Sequence, residues 1–400
     1  MIFLLSSCFL YTAFFVWWPT RNLPYHWDSA GFIINAARDI ISTNFQPLIP
    51  TGSDFAHPPI FIALLGVVWK IFGNTILNSH LLIFPFLPLL ISSTYFLGKR
   101  TVSVSVGIAS ALVVGFSPIV LTEYGQIYFD LPMAALTTTA LALWFYRRHF
   151  LAGSLLALAV LTKMPALMLM PALAVHLFLT KKTKVKEYLT LLLPVVALLI
   201  WLLYHYHFTG WFLSLPGRLS YRPDTVSQLG KAALFVITKL LIEQARWILL
   251  VTGLTSATYY FIKKRSASFS SAEISSLLTL LGLGIGIFTI IGEFGMRYGI
   301  FLLPVFATVV FYFFYTVANR YLFWTVTVCF TLISFSLWHP KIEPTSQYEI
   351  WPSENLSYMD MISIGQQAAR FLEINHTKSE VYGSFPEIYQ LTQPYQGYVR

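Results

Sequence analysis

Acidic side chains in this chain stand beside aromatic residues and prolines, in segments that connect hydrophobic stretches. The first segment holds His26-Trp27-Asp28 and, further on, Phe55-Ala56-His57-Pro58-Pro59. A later one holds Glu123-Tyr124 and Asp130. A carboxylate can take a proton from a hydroxyl group as a general base, or it can bind a divalent cation. These segments therefore indicate chemistry at the surface of a bilayer rather than simple anchoring.

Two basic residues stand at the ends of hydrophobic stretches, where a charge is costly. Lys163 follows a short apolar run and precedes Met164-Pro165, and Arg297 opens a later run. A lysine at such a position either extends its ammonium group to the interface or pairs with an anionic ligand such as phosphate. A guanidinium group can bind phosphate through two parallel hydrogen bonds. Arg218 and Arg222 are weaker candidates for the same role.

The composition is that of a membrane protein. Of the 400 residues, 56% are hydrophobic and 11% are charged, whereas soluble domains carry about 25% charged residues. The 34 Phe, 22 Tyr and 11 Trp residues suit aromatic belts at the two interfaces. The net charge of +9 does not indicate nucleic acid, because the basic residues cluster in short connections.

The hydrophobic stretches predict an all-α integral membrane protein with about eleven transmembrane helices, since about 20 apolar residues cross a bilayer. Residues 150–180 form either two short helices or one re-entrant hairpin, broken near Met164-Pro165. The first stretch is an expected span rather than a cleaved signal peptide, because it lacks a basic start and a cleavage site. The predicted spans are 2–18, 79–97, 102–119, 131–146, 150–163, 165–180, 188–206, 247–262, 274–292, 299–318 and 321–338.

Basic clusters predict the orientation of these spans. They occupy alternate connections, as the positive-inside rule requires of cytoplasmic loops. This places the first loop (19–78), the 119–130 turn, the 207–246 loop, the 293–298 turn and the tail from His339 outside. We therefore expect a multi-pass protein of the cell (inner) membrane with its site facing outward. The clusters are Lys99-Arg100, Arg147-Arg148, Lys181–Lys186, Lys263–Arg265 and Arg320.

The external segments have recognisable structure of their own. Residues 29–42 carry Ile and Ala at helical spacing opposite Asn35, Arg38 and Asp39, and 58–72 form a short apolar segment. Both are expected to be interfacial helices. We divide the chain into a transmembrane catalytic domain (1–338) and a small extracytoplasmic segment (339–400). The latter has a helix-like run at 359–373 and a strand-like run at 380–385, which predicts a small α+β cap that either selects the acceptor or is purely structural.

Several segments resemble GT-C class membrane glycosyltransferases, in the branch of protein O-mannosyltransferases and lipid A aminoarabinose transferases. They occur in the family's order over roughly residues 20–320. Many relatives have Asp-Glu in the first loop, where this chain has Asp28-Ser29. The matching segments are HPPIFIALLGVVWKIFGNT with the later YFLGKR, LTEYGQIYFDLP, GSLLALAVLTKMPAL and MRYGIFLLPVFA.

The resemblance implies transfer of a sugar from a polyprenyl-phosphate carrier to a lipid, protein or glycan acceptor on the non-cytoplasmic side, with inversion at the anomeric carbon. It implies Asp28 as the general base, with Lys163 and Arg297 near the donor phosphate. Asp28 also fits an N-cap of the helix from Ser29. The expected partners are thus the lipid-linked donor, the acceptor and membrane lipids. The single acid at 28 leaves a divalent cation possible but not required.

The remaining candidates have structural alternatives. Asp130 either orients the acceptor or a cation, or starts a helix together with Pro132. His57 either contacts phosphate or sugar, or belongs to the helix start at Pro58-Pro59. Glu123 and Tyr124 are predicted to line the site from the second external turn. A transporter or flippase for a lipid-linked sugar is the alternative function, although internal repeats typical of transporters are missing from the sequence.

Overall fold

A computed structural model describes residues 2–49, 57–180, 185–212, 223–264, 271–292, 295–338, 357–376 and 379–399. These residues are helical and contain no β-strand. Four helices among them are long and apolar enough to cross a membrane, and a fifth crossing results if one bent pair counts as a single span. The four are Ile76–Thr101, Val185–Thr209, Ala272–Ile291 and Met296–Val317.

The helices are numbered in chain order. The first group comprises α1 (Ile2–Thr12), α2 (Ile34–Ser42), α3 (Ile60–Phe72), α4 (Ile76–Ile83), α5 (Phe86–Thr101), α6 (Val104–Gly115), α7 (Pro118–Tyr124), α8 (Asp130–Phe145) and α9 (His149–Thr162). The second group comprises α10 (Leu169–Thr180), α11 (Val185–Thr209), α12 (Val226–Ile237), α13 (Arg246–Lys264), α14 (Ala272–Ile291), α15 (Leu303–Val317), α16 (Arg320–Ser336), α17 (Ser357–Asn375) and α18 (Glu387–Thr392).

Every predicted span overlaps a helix or a pair of helices, while the number of crossings stays a prediction. The predicted span 102–119 is broken: α6 and α7 meet at an angle of 61°. The region 150–180 contains α9 and α10, separated by Lys163 and a 3₁₀ turn at Met164–Met168. Helix starts are capped as their sequences suggest, for example at Ser103, whose hydroxyl accepts the backbone N–H of Val106.

The bundle core is built from α5, α6, α8, α9 and α15. Some of these helices pack on the next helix in the chain, as α5 does on α6, and others on distant ones, as α6 does on α15. Helices α5 and α6 approach each other closely at Gly98 and Gly107. A Cβ atom added to Gly98 would lie 2.8 Å from the Cα of Gly107. Small residues at such a crossing let two membrane helices approach each other closely.

The first loop contains the two predicted helices, α2 and α3. The apolar side of α2 is buried at Ile33, Ala36 and Ile40, as expected. Asn35, however, was expected on the polar face, and it is buried. The reason is a long-range contact: the Tyr395 hydroxyl donates to Asn35 Oδ1 at 2.8 Å. The C-terminal segment thus covers a face of α2 that the sequence pattern assigns to solvent.

The C-terminal segment docks on the first loop. Helix α17 confirms the helix-like run at 359–373, but the predicted strand at 380–385 is wrong, because those residues form no strand. A strand needs a hydrogen-bonding partner, and no other strand exists in the described ranges. The segment is instead held by side chains, including Tyr358, whose hydroxyl donates to the Gly125 carbonyl at 3.3 Å. The cap is therefore helical where the structure describes it.

Candidate active site

Asp28 stands at the N-cap position of the helical turn Ser29–Ile33, which leads into α2. Its side chain makes no capping hydrogen bond. Oδ2 instead accepts a hydrogen bond from Nη2 of Arg297. The side chain is 28% exposed, and Oδ1 accepts no hydrogen bond from any residue that the structure describes. The predicted capping role is therefore not how this carboxylate is used, and one of its oxygens is left for a ligand.

Arg297 lies in the 3₁₀ turn Met296–Leu302, which packs against α8 and leads into α15. Its guanidinium group is buried between two aromatic rings. The Arg297 Cζ atom lies 4.8 Å from the ring centre of Tyr128 and 5.2 Å from that of Tyr298. Such stacking favours a guanidinium cation over an ammonium group. Asp28 uses one of five N–H donors, so Arg297 keeps donors for an anionic ligand.

Lys163 follows α9 with an extended backbone, which turns the chain into the Met164–Met168 turn. Its Nζ atom donates to Asp130 Oδ1 at 2.6 Å, and the two side chains are 8% and 2% exposed. Asp130 is the first residue of α8, where the helix dipole favours a negative charge. The lysine is thus buried and paired, rather than extended to the interface.

Tyr298 connects the two ion pairs. The Lys163 Nζ atom lies 4.1 Å from the centre of the Tyr298 ring, and Arg297 Nη2 donates to the Tyr298 hydroxyl at 3.5 Å. The cations of both ion pairs consequently meet at one aromatic ring, and the formal charges of the two pairs cancel. Because each cation has hydrogen-bond donors left over, the cluster can hold a phosphate group without separating either pair.

These residues line one cavity of about 1040 Å³. Of the predicted site residues, the structure brings together Asp28, His57, Asp130, Lys163 and Arg297 around it. Much of the remaining wall is apolar, including residues 164–171 and residues 287–291 of α14. The cavity therefore joins a cluster of charged groups to an apolar surface, as an amphipathic ligand requires.

Glu123 and Tyr124 do not line the cavity. The segment predicted as an external turn forms helix α7, and both side chains are buried in it. The Tyr124 hydroxyl donates to the carbonyl of Phe84 at 3.4 Å. Both carboxylate oxygens of Glu123 lack a hydrogen-bond partner among the described residues. Tyr124 therefore lies behind the cavity wall, against the end of α4.

His57 precedes Pro58-Pro59 and helix α3, as expected from the sequence. Its ring lines the cavity and lies 5.1 Å from the ring of Phe129, centre to centre. Phe129 is itself adjacent to Asp130. His57 thus stands at the helix start and also faces the cavity, while its contact with phosphate or sugar stays a prediction.

Tyr128 and Tyr298 are site residues for which the sequence alone suggested no role. The Tyr128 hydroxyl donates to the carbonyl of His26 at 3.1 Å, which ties the second loop to the backbone beside Asp28. Ser29 adds a second tie, donating from Oγ to the carbonyl of Ile127 at 2.9 Å. The only hint in the sequence was their position next to predicted site residues: Tyr128 stands two residues before Asp130, and Tyr298 follows Arg297.

A divalent cation does not fit the side chains as they stand. No group of three His, Cys, Asp or Glu side chains within the described ranges is placed to hold a metal ion. Asp28 and Asp130 already face Arg297 and Lys163. Without displacing either ion pair, a cation could use only the second oxygen of each carboxylate, which is fewer oxygen ligands than Ca²⁺ takes.

The fold of the described residues is similar to that of solved GT-C glycosyltransferases, which agrees with the resemblance seen in the sequence. The chain is similar to ArnT from Cupriavidus metallidurans bound to undecaprenyl phosphate, with a TM-score of 0.59 and 15% identity over 98% of this chain and 75% of ArnT. It is also similar to the oligosaccharyltransferase AglB from Archaeoglobus fulgidus in complex with an inhibitory peptide and a dolichol-phosphate. There the TM-score is 0.53 and the identity 13%, over 99% of this chain and 60% of AglB.

By sequence, neither a protein-family model nor a curated protein matches the chain. The similarity to ArnT and AglB therefore concerns the fold. Both are GT-C glycosyltransferases, and the residues around the cavity decide what the same fold can do in this chain.

Proposed function

We propose that this protein is a glycosyltransferase of the cell (inner) membrane. It moves a hexose or pentose from a polyprenyl-phosphate carrier to an acceptor hydroxyl on the outer side of that membrane. The observation that carries the proposal is the meeting of Asp28, Lys163 and Arg297 at one cavity with an apolar wall. A lipid-linked sugar phosphate has the same two parts, an anionic head and a hydrocarbon chain.

In the proposed reaction, a bond forms between the acceptor oxygen and the anomeric carbon of the sugar. The bond from that carbon to the phosphate oxygen breaks, and polyprenyl phosphate leaves. Asp28 takes the acceptor proton through Oδ1, a role that typically contributes 10²–10⁴-fold to the rate. Direct attack on the opposite face from the leaving phosphate inverts the configuration. Such a displacement needs no protein nucleophile.

The donor phosphate is assigned to Lys163 and Arg297. Both cations are buried, and hydrogen bonds to a charged group are stronger in such surroundings than in water. As phosphate takes on charge during cleavage, the two cations stabilise the leaving group. The apolar residues at 164–171 and 287–291 provide the adjoining surface for the carrier chain. The undecaprenyl phosphate bound to ArnT is a ligand of this kind.

An outward orientation is supported by contacts among the predicted cytoplasmic connections. Arg100 Nη2 lies 3.7 Å from Glu273 Oε1, and His149 Nε2 lies 3.7 Å from Glu187 Oε1. These residues belong to connections that the positive-inside rule assigns to one side. Asp28, Asp130 and Arg297 belong to the connections assigned to the other side, and Lys163 stands at the end of a predicted span on that side.

The test uses the purified protein in lipid nanodiscs, supplied with undecaprenyl-phosphate-linked hexoses and pentoses. Acceptors are a Ser/Thr peptide, lipid A and methyl pyranosides, each with and without EDTA. We expect at least one donor to yield undecaprenyl phosphate while one acceptor gains the mass of one sugar. Asp28→Asn should lower that rate by about 100-fold or more. Asp360→Asn, an exposed substitution in α17, is the matched control.

Two outcomes contradict the proposal. One is full activity in Asp28→Asn at equal expression. The other is binding of donors without cleavage, combined with their movement across vesicle membranes. The second outcome would favour the alternative function of a flippase.

A further inference from the structure

The cavity has an aromatic wall beside Asp28, formed by Trp27, Phe32 and Phe385. The rings of Phe32 and Phe385 lie 4.9 Å apart, centre to centre. Those of Trp27 and Phe385 lie 5.9 Å apart and nearly perpendicular, at 88°. Phe385 is 36% exposed, although it is apolar. Phe385 thus touches both neighbouring rings and still presents part of its surface to the cavity.

Phe385 reaches this wall from the C-terminal segment, which is anchored to the backbone on both sides of Asp28. The Gln396 Nε2 atom donates to the carbonyl of Ala30 at 2.8 Å, and the Tyr398 hydroxyl donates to the carbonyl of Tyr25 at 3.1 Å. Position 31 is glycine, and a Cβ atom there would overlap the Phe385 ring. The position of this ring therefore depends on both the anchors and Gly31.

Trp27 is held in an unusual backbone conformation. Its φ angle is 48°, in the left-handed region that costs a bulky residue free energy. Such residues concentrate at ligand sites, where the surrounding structure maintains them. The conformation fixes the indole directly before Asp28, in the wall that also contains Phe385.

Building on the proposed function, we infer that the aromatic wall is the acceptor subsite and that it binds a sugar ring. A pyranose has an apolar C–H face that packs on aromatic rings, while its hydroxyl groups point sideways toward a carboxylate such as Asp28. The wall is three rings in extent, which suits one ring-shaped ligand. The longer apolar surface at 164–171 and 287–291 suits a hydrocarbon chain. The acceptor of this enzyme is accordingly a glycan or glycolipid sugar, selected partly by Phe385.

The test measures donor consumption and acceptor use separately, in nanodiscs without sugar-headed detergent. Methyl α-pyranosides of mannose, glucose and galactose are compared with the open-chain polyol mannitol and with a Ser/Thr peptide. We expect saturable transfer to at least one pyranoside and none to mannitol. Phe385→Ala should raise the acceptor KM about fivefold to tenfold, with kcat and donor KM nearly unchanged. Phe385→Tyr should restore the KM, and Gly31→Ala should resemble Phe385→Ala.

The control is Phe371→Ala, an exposed aromatic substitution in the same C-terminal segment, on α17. If the donor is consumed but the peptide alone is glycosylated, the acceptor inference is wrong while the proposed function stands. An unchanged pyranoside KM in Phe385→Ala also overturns it. If no donor is consumed, the proposed function fails. Direct calorimetric binding of the methyl pyranosides to wild type and Phe385→Ala then decides the sugar subsite independently, because equal binding or no binding contradicts it.

Discussion

Asp28 and Arg297 are 269 residues apart in the chain and form one ion pair at the cavity. The guanidinium group is 8% exposed and the carboxylate 28%. Asp28 therefore has two possible effects in the proposed reaction. It neutralises a buried cation, and its second oxygen is available to an acceptor hydroxyl. Two substitutions at this position separate the effects.

Asp28→Asn keeps an oxygen that accepts a hydrogen bond from Arg297, but it cannot take up a proton from an acceptor at neutral pH. We expect kcat to fall about 100-fold or more, with donor KM within about threefold of wild type because uniform binding is retained. Asp28→Ala removes the hydrogen bond as well, so its donor KM should rise further. Steady-state kinetics with varied donor distinguish the two. Equal kcat values for wild type and Asp28→Asn would contradict the role of general base.

The Lys163–Asp130 pair is buried, and its removal one partner at a time should be costly. Lys163→Met leaves the Asp130 carboxylate without its cation, which typically costs about 3–5 kcal/mol. The double variant Lys163→Met/Asp130→Asn leaves no buried charge in the pair, so its thermal stability should return close to that of wild type. Its donor affinity should stay low, because the phosphate has lost a cation.

Neutralising Lys239 and Glu243, singly and together, is the control for that experiment. Their side chains are 21% and 31% exposed, with Nζ and Oε2 3.0 Å apart. Pairs of this type contribute up to about 1 kcal/mol, so neither single nor double neutralisation should change stability by more. A double variant at 163 and 130 that binds donor like wild type would remove Lys163 from the proposed phosphate site.

Two tyrosines in one sequence motif should respond differently to loss of the hydroxyl group. Tyr124→Phe loses a long hydrogen bond outside the cavity, to Phe84, and should keep its activity within about twofold. Tyr128→Phe loses the hydrogen bond to the carbonyl of His26, beside Asp28. We expect its kcat to fall by about tenfold, since small displacements of a reacting group are costly. Similar losses in both variants would mean that the motif is merely structural.

Much of the helical architecture could be predicted from local patterns. Apolar length predicted the helices, and helix-start residues such as Ser103 agree with where several of them begin. The broken span was harder. Pro118 directly after Ser117 is a helix-start signal, and it explains why α7 replaces the expected turn. The prediction of a strand at 380–385 was wrong because a strand depends on a hydrogen-bonding partner elsewhere in the chain.

The pairing of charges could not be predicted from such patterns. Lys163 and Arg297 were identifiable as costly cations, but their partners come from distant segments and depend on how the helices pack. Likewise, nothing near Asn35 indicates that Tyr395 will cover it. The aromatic wall illustrates the same point, because Phe385 reaches the cavity through contacts made by residues 395–398.

His26 provides a pH-dependent test of the folded first loop, which lies outside the predicted spans. Burial lowers the pKa of its imidazole from 6.5 to about 4, although the nearby Asp28 carboxylate opposes this shift. The unfolded chain therefore binds a proton more readily than the folded one between these values. Stability from this residue is present above pH 6.5 and is lost as the pH falls toward 4. The loss is about 2 kcal/mol at pH 5.

His26→Phe should consequently reduce the difference between the melting temperatures at pH 7.5 and pH 5, because phenylalanine has no charge to acquire on acidification. Thermal denaturation in nanodiscs at both pH values measures the effect. His376→Phe, at an exposed position after α17, is the matched control and should retain the difference seen in wild type. If His26→Phe keeps the full acid sensitivity of wild type, the destabilisation arises from other groups, and the buried imidazole beside Asp28 is not its source.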